Sequence, residues 1–392
     1  MIAPPSAPIQ LGTRKKLTYT LVVFVGFFLS VELAARVGSF LVYGRNPYYL
    51  LYGLRSWSNE EGEGHTDKRS GYFKFPPDQR LEFGTPEPSR INNQGFRGED
   101  FDVQKPAGVF RIACLGASST FGYLNRDHET YPHRLSERLA ELDPGRSGPA
   151  IEVINAGIPH FNTENIVAAL EGEILGWDPD LMTLYTGCND AVRPLAESRI
   201  QATCRAFDEY SAAYAGMRKA LNGVFGEVLF GQWTPYLARM ERAAIERQLA
   251  LHEARTRENV ARIIALAEGQ GIPLVLIRQP ITTWFDREAR GLVPAGEGRE
   301  TYEDEYARLS AELEAQGWLR GFEVTLYVHH RLLDVLDELA AAHGLTTVDN
   351  VALVAAEPDG LGSKVHLTAP ANARLAEVLA ETLAPLLPWN RP

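Results

Sequence analysis

The residues best suited to covalent chemistry lie in CLGASSTFG, residues 114–122, where Ser118 follows an apolar run that ends at Leu115. Gly116 permits a sharp turn there, and small residues precede the next helical pattern. Such a turn lifts a side chain off the C-terminal edge of a sheet, where open α/β sheets place their sites. Backbone N–H groups of the turn can face a developing oxyanion. Taken alone, the segment is equally compatible with simple punctuation. A phosphate-cradling loop is the other alternative, although neither G-x-x-x-x-G-K-[ST] nor G-x-G-x-x-G is matched.

Three later segments complete a serine mechanism, which needs a nucleophile, a base and oxyanion donors. NAGIPHFNT (155–163) sets Gly157 after a second apolar run, and TGCND (186–190) sets Gly187, Asn189 and Asp190 after a third. KVHLTAPANARL (364–375) sets His366 just before the last helical pattern. In a doubly wound sheet, three such strand ends converge on one crevice that a late histidine can reach.

These four blocks resemble those of the SGNH (GDSL-type) hydrolases, of the membrane-anchored bacterial kind. GASSTFG is similar to the family's GDS-x-T-x-G block, and the resemblance implies Ser118 as nucleophile and His366 as base. It further implies an oxyanion hole formed by the Ser118 N–H, the Gly157 N–H and the Asn189 side chain. NNQGFRG and the ETYPHRL segment (129–135) also resemble the anchored members. Two departures stand out: Ala117 replaces the aspartate of GDS, and Ser363 stands where the family has an aspartate three residues before the histidine. A carboxylate there orients the imidazole, and its loss from a triad costs up to about 10⁴-fold in rate. Asp359 is the candidate third member from the adjacent loop and Glu357 a second; otherwise Ser363 or a backbone carbonyl orients His366.

The other chemistry-bearing residues read as structural. His329 and His330 are adjacent and point apart on a helix, which does not suit a metal pair, and His160 reads as a solvated loop residue. Asp190 braces the Asn189 turn. Cys114, Cys188 and Cys204 make neither a disulfide framework nor a zinc spacing. No metal or cofactor is expected.

Positioning these groups falls to short apolar runs that alternate with helical stripes. Residues 109–115, 151–156, 181–186, 273–277 and 345–349 read as strands. A helix opens near Thr130 and Pro132, another is capped by Thr163, and further stripes run through Val260 to Ala267, Leu332 to Leu339 and Leu375 to Leu383. Short buried strands separated by helices predict a parallel sheet covered on both faces, a three-layer α/β/α sandwich.

The formal net charge is −11, with no basic run beyond Arg14, Lys15 and Lys16. Phosphate binding needs a basic face, so a nucleic-acid partner is excluded. That basic cluster precedes an apolar stretch, residues 17–44, whose Glu32 and Arg36 are spaced to pair on one helix face. A membrane anchor is expected, against a cleaved signal peptide or a buried core helix. The expected order is a cytoplasmic tail (1–16), the anchor (17–44), an extracytoplasmic stalk (45–105) and a hydrolase domain (106–392) with a helical insertion at about 191–258. The function expected is a membrane-anchored extracytoplasmic serine esterase that hydrolyses or transfers an O-acyl ester of a small molecule or glycan, in particular an envelope or exported polysaccharide. The alternative, which Ser363 supports, is a catalytically weak or inactive glycan-binding or assembly protein.

Overall fold

The structure is a computed structural model and describes residues 12–42, 65–67, 72–75, 77–81, 84–142, 148–192, 211, 213–214, 217, 239–294, 298–357 and 359–388. The chain divides into two compact units, one of residues 1–60 and 197–233 and the other of residues 61–196 and 234–392.

In the larger unit a five-stranded parallel sheet runs in the order β11-β9-β7-β5-β6. Its strands are β5 (Val109–Gly116), β6 (Ala150–Gly157), β7 (Leu181–Thr186), β9 (Leu274–Arg278) and β11 (Thr346–Val348). Alternation of side chains sends Phe110, Ile112 and Cys114 of β5, Leu181 and Tyr185 of β7 and Val275 and Ile277 of β9 to one face. There they pack under the helices Tyr131–Leu142 and Ala369–Leu383. Ala113, Leu115, Met182, Leu184, Leu274 and Leu276 go to the other face, beneath Thr163–Gly172, Arg242–Gln270 and Gly321–His343. Both faces are therefore apolar, which explains why the strands read as continuous apolar runs. The sandwich expected from the sequence is the architecture observed. β6 lies on one side of β5 and β7, β9 and β11 on the other, so the chain reverses its winding at β5, where doubly wound sheets open a crevice.

Several details differ from the sequence reading. The helix after β6 is capped by Asn162, whose side chain accepts from the Asn165 N–H, and Thr163 is its first residue. The charged run assigned to an insertion belongs, from Arg242 onward, to one 29-residue helix that ends at Gln270. Ile245, His252 and Thr256 of that run are buried along with the later stripe Val260, Ile263 and Ile264. Residues 193–210 and 218–238, the remainder of the expected insertion, lie outside the described residues.

The segment expected as an extended stalk with turns or short strands has the short strands but packs against the domain. Within it, short antiparallel ribbons form between β1 (His65–Asp67) and β2 (Tyr72–Lys74) and between β3 (Arg80–Leu81) and β4 (Ser89–Arg90); a third ribbon, elsewhere in the chain, pairs β8 (Arg239–Glu241) with β10 (Trp318–Arg320). Tyr72, Phe75, Leu81, Ile91, Phe96 and Phe101 are buried in the same cluster as the sheet residues. Phe96 and Phe101 both meet the Trp177 ring edge-on, at 5.1 and 5.0 Å. Apolar burial of this extent, roughly 1.5–3 kcal/mol for each large side chain, makes the second half of the segment part of the domain.

In the smaller unit one helix, Thr13–Val42, carries a stretch Thr13–Gly38 of mean hydropathy 1.9, long and apolar enough to cross a membrane. Arg36 Nε donates to Glu32 Oε1 at 2.8 Å, the pairing their spacing predicts. The second Glu32 oxygen accepts from Ser211 Oγ at 2.9 Å and the Ala213 N–H at 3.0 Å.

Candidate active site

β5 ends at Gly116, and after Ala117 the chain enters a single helical turn, Ser118–Phe121. The turn is tight because its neighbours are close. A Cβ on Gly116 would stand 2.1 Å from Thr120 Oγ1 and 2.6 Å from the Tyr185 carbonyl oxygen of β7. One on Gly157, at the end of β6, would stand 2.3 Å from the Phe121 nitrogen. Glycine at both strand ends thus lets the turn settle between β6 and β7.

Ser118 and His366 meet across 248 positions of sequence, with His366 Nε2 2.9 Å from Ser118 Oγ. The histidine sits on a folded-back loop. Leu361 bridges Leu367, the Gly362 N–H donates to the His366 carbonyl at 2.9 Å, and the Thr368 N–H donates to the Gly360 carbonyl at 2.9 Å. At its tip Ser363 Oγ lies 2.6 Å from His366 Nδ1 and also accepts from the His366 N–H at 3.3 Å.

This geometry corrects the expected third member. Asp359 is at the base of the loop, exposed, and takes part through its backbone carbonyl, which accepts from Thr368 Oγ1 at 3.1 Å. Glu357 likewise contributes its backbone, donating to the Val354 carbonyl and accepting from the Gly360 N–H. Among the described residues no carboxylate pairs with the imidazole, because the loop closes with Ser363, and not Asp359, against Nδ1. A hydroxyl both donates and accepts, whereas a carboxylate only accepts. Ser363 therefore accommodates either imidazole tautomer, including the productive one in which Nδ1–H donates to Ser363 and Nε2 accepts the Ser118 proton.

Burial lowers the His366 pKa to about 3, with Lys364 and His160 adding positive charge nearby. The imidazole is neutral at neutral pH and available as a base. The Tyr123 ring lies over it, centroids 4.5 Å apart and planes 36° apart. Sequence reading missed Tyr123, since nothing in its spacing separates it from a core aromatic.

The three expected oxyanion donors are not in equal states. The Ser118 N–H takes no hydrogen-bond partner among the described residues. Asn189 Nδ2 donates one proton to the Phe161 carbonyl at 2.8 Å, which leaves its second. The Gly157 N–H, by contrast, is engaged by Asn155 Oδ1 at 3.0 Å. Asp190 braces the turn: Thr163 Oγ1 donates to its Oδ1 at 2.5 Å, and its carboxylate also accepts from the Thr163 N–H. His160 is exposed, with φ +65°. Burial pushes the Cys188 thiol up to about 11, which keeps it protonated beside Asn189. Among the described residues no group of histidine, cysteine and carboxylate side chains is arranged to hold a metal ion.

Residues 114–312 match the model of the GDSL-like lipase/acylhydrolase family. The match takes in Ser118, Gly157 and Asn189, and His366 lies beyond it. The chain belongs to that family, with the SGNH hydrolase fold. Solved structures similar to it include the lipase/acylhydrolase of Enterococcus faecalis, 17% identical with a TM-score of 0.40, covering 72% of this chain and 100% of that one. A GDSL-like lipase of Bacteroides thetaiotaomicron is 11% identical with a TM-score of 0.37, covering 71% and 89%. An acetyl xylan esterase is 13% identical with a TM-score of 0.37, covering 70% and 100%. These likenesses add nothing to the family match. No curated protein matches the chain.

Proposed function

We propose that this acylhydrolase is a membrane-anchored, extracytoplasmic serine esterase that removes or transfers O-acyl groups of an envelope or exported polysaccharide. The observation that carries the catalytic part is the 2.9 Å approach of His366 Nε2 to Ser118 Oγ. His366 takes the Ser118 proton as Oγ attacks the acyl carbonyl, and the Ser118 N–H and Asn189 Nδ2 are the donors available to the oxyanion. The tetrahedral intermediate collapses to the acyl-enzyme as His366 returns the proton to the leaving alkoxide. Water or an acceptor hydroxyl, deprotonated by His366, then releases the acyl group.

The anchored location rests on the apolar helix Thr13–Val42 and on Arg14, Lys15 and Lys16 ahead of it, since basic residues before a span favour an N-terminus inside. A polysaccharide substrate rests on that address. One observation favours a second reading, a weakly catalytic or glycan-binding protein: the partner of Nδ1 is a neutral hydroxyl, which compensates an imidazolium less well than a carboxylate.

The test is release of p-nitrophenol from p-nitrophenyl acetate by the full-length protein in detergent, beside Ser118→Ala. Turnover that falls at least about 10³-fold in the variant supports the esterase. No Ser118-dependent turnover across a panel of acyl esters would leave the glycan-binding reading in its place.

A further inference from the structure

Gln279 follows the last residue of β9 and is 3% exposed, although the catalytic reading gives it no part. Its side chain joins the three segments that carry the site. The Cys188 N–H, next to Asn189, donates to Gln279 Oε1 at 2.7 Å. Gln279 Nε2 donates to Ser119 Oγ at 3.0 Å, beside the nucleophile. Ser119 Oγ in turn donates to the Val365 carbonyl at 3.2 Å, beside the histidine. Each of these three bonds pairs a donor with an acceptor. The Cys188 N–H can donate only to the oxygen end of the amide, so the orientation of Gln279 is fixed by its partners.

We infer that Gln279 is a positioning residue that locks the nucleophile turn, the Gly187–Asp190 turn and the histidine loop into one arrangement. The reason is geometric. Ser118, Asn189 and His366 sit on the ends of separate elements, and each is one residue away from a group in the Gln279 chain. The 2.9 Å bond between Nε2 and Oγ spans two loops that also meet where the Ser119 hydroxyl donates to the Val365 carbonyl. The β5–β7 ladder ends at Gly116 and Tyr185, and among the described residues no main-chain hydrogen bond beyond it joins those loops to the Cys188 turn, whereas one buried amide does. A second tie, the Thr282 N–H to the Lys364 carbonyl at 2.8 Å, holds the segment after Gln279 to the same histidine loop. The catalytic consequence rests on the esterase reading; the coupling of the three segments does not.

The experiment replaces Gln279 with methionine, which keeps the volume and removes both polar ends, in the full-length protein in detergent. Hydrogen exchange is read at residues 116–122, 186–191 and 364–368, with 150–155 of β6 as the internal reference. Joint loss of protection in all three, with the reference unchanged, is expected; a response confined to one segment overturns the inference. In parallel, kcat for p-nitrophenyl acetate is expected to fall about 10²-fold, as misplacement by about 1 Å produces. KM is expected to change by less than about twofold, the pattern of a lost transition-state contact and not of lost substrate binding. An unchanged kcat, or a change in KM alone, contradicts the positioning role. Ser119→Ala removes a single hydroxyl and is the second variant: it is expected to expose 116–122 and 364–368 while sparing 186–191. If the parent protein shows no Ser118-dependent turnover, the esterase reading fails on that arm and the exchange arm still decides the coupling.

Discussion

At the scale of single residues, the departure that matters is a hydroxyl where a carboxylate would orient and neutralise the imidazole. Ser363→Asp places a charge against Nδ1 that fixes the productive tautomer and stabilises the imidazolium. It is expected to raise kcat by about tenfold or more, well within the range attributed to that group in serine triads. The same change moves the pH profile. In the parent, burial and the nearby Lys364 and His160 hold His366 near 3, so the base stays neutral and activity persists far below pH 6. With an anion at 363 the charged form is favoured and the acid limb moves upward. A profile that does not move would mean that position 363 does not reach the imidazole. The meeting of Ser118 with His366 was legible from the order of the four blocks and the family they resemble. The partner of Nδ1 was not: Asp359 was chosen on charge, and its exclusion depends on where the loop closes, which composition does not encode.

At the scale of elements, the turn bearing Ser118 is held from behind by a residue that the sequence singles out only within the NNQGFRG segment. Arg97 is 2% exposed and donates to the Phe121, Gly122 and Asn125 carbonyls at 2.9, 2.8 and 2.7 Å, with Nε on Asp127 at 2.8 Å. It closes the C-terminal end of the nucleophile's helical turn. Arg97→Met leaves the Asn125 carbonyl without its donor, while the Phe121 carbonyl keeps Asn155 Nδ2 and the Gly122 carbonyl keeps the Asn125 N–H, and is expected to cost about 1–3 kcal/mol in urea unfolding, the range for one unsatisfied buried group. Arg138→Met, which breaks only an exposed pair with Glu141, is the control and is expected to change stability by less than about 0.5 kcal/mol. Equal losses would contradict the buried role. Gly157→Ala is expected to destabilise by about 1–3 kcal/mol through overpacking against Phe121, and to lower activity because the turn must shift. The central strands β5, β7 and β9 were readable because they are buried on both faces. The packing of residues 72–101 onto the domain was not, because their buried aromatics follow no period and are placed by tertiary contacts such as Phe96 on Trp177.

At the scale of the whole molecule, acid is expected to act on the fold more than on the base itself. His329 and His366 are both held near 3, in each case first by burial, against an ordinary imidazole value of 6.5. Between those values the unfolded chain binds more protons than the folded one, so their contribution is complete above pH 6.5 and is lost as pH falls toward 3. Urea midpoints measured from pH 7.5 to 4 should decline steadily. A flat profile would show that neither imidazole is buried neutral. Membrane association of the full chain, resistant to high salt and alkaline carbonate, is expected from the helix Thr13–Val42, and recovery in the soluble fraction would oppose it. The α/β sandwich was legible because its alternation of strand and helix is written in local periodicity, whereas the registration of the catalytic loops is a property of the closed chain. The central claim, that Ser118 is a nucleophile activated by His366, is tested most directly by peptide mapping after exposure of the full-length protein to a fluorophosphonate. A single adduct on Ser118, lost in His366→Ala, is the result expected. An unmodified Ser118, or an adduct that persists without His366, would contradict it.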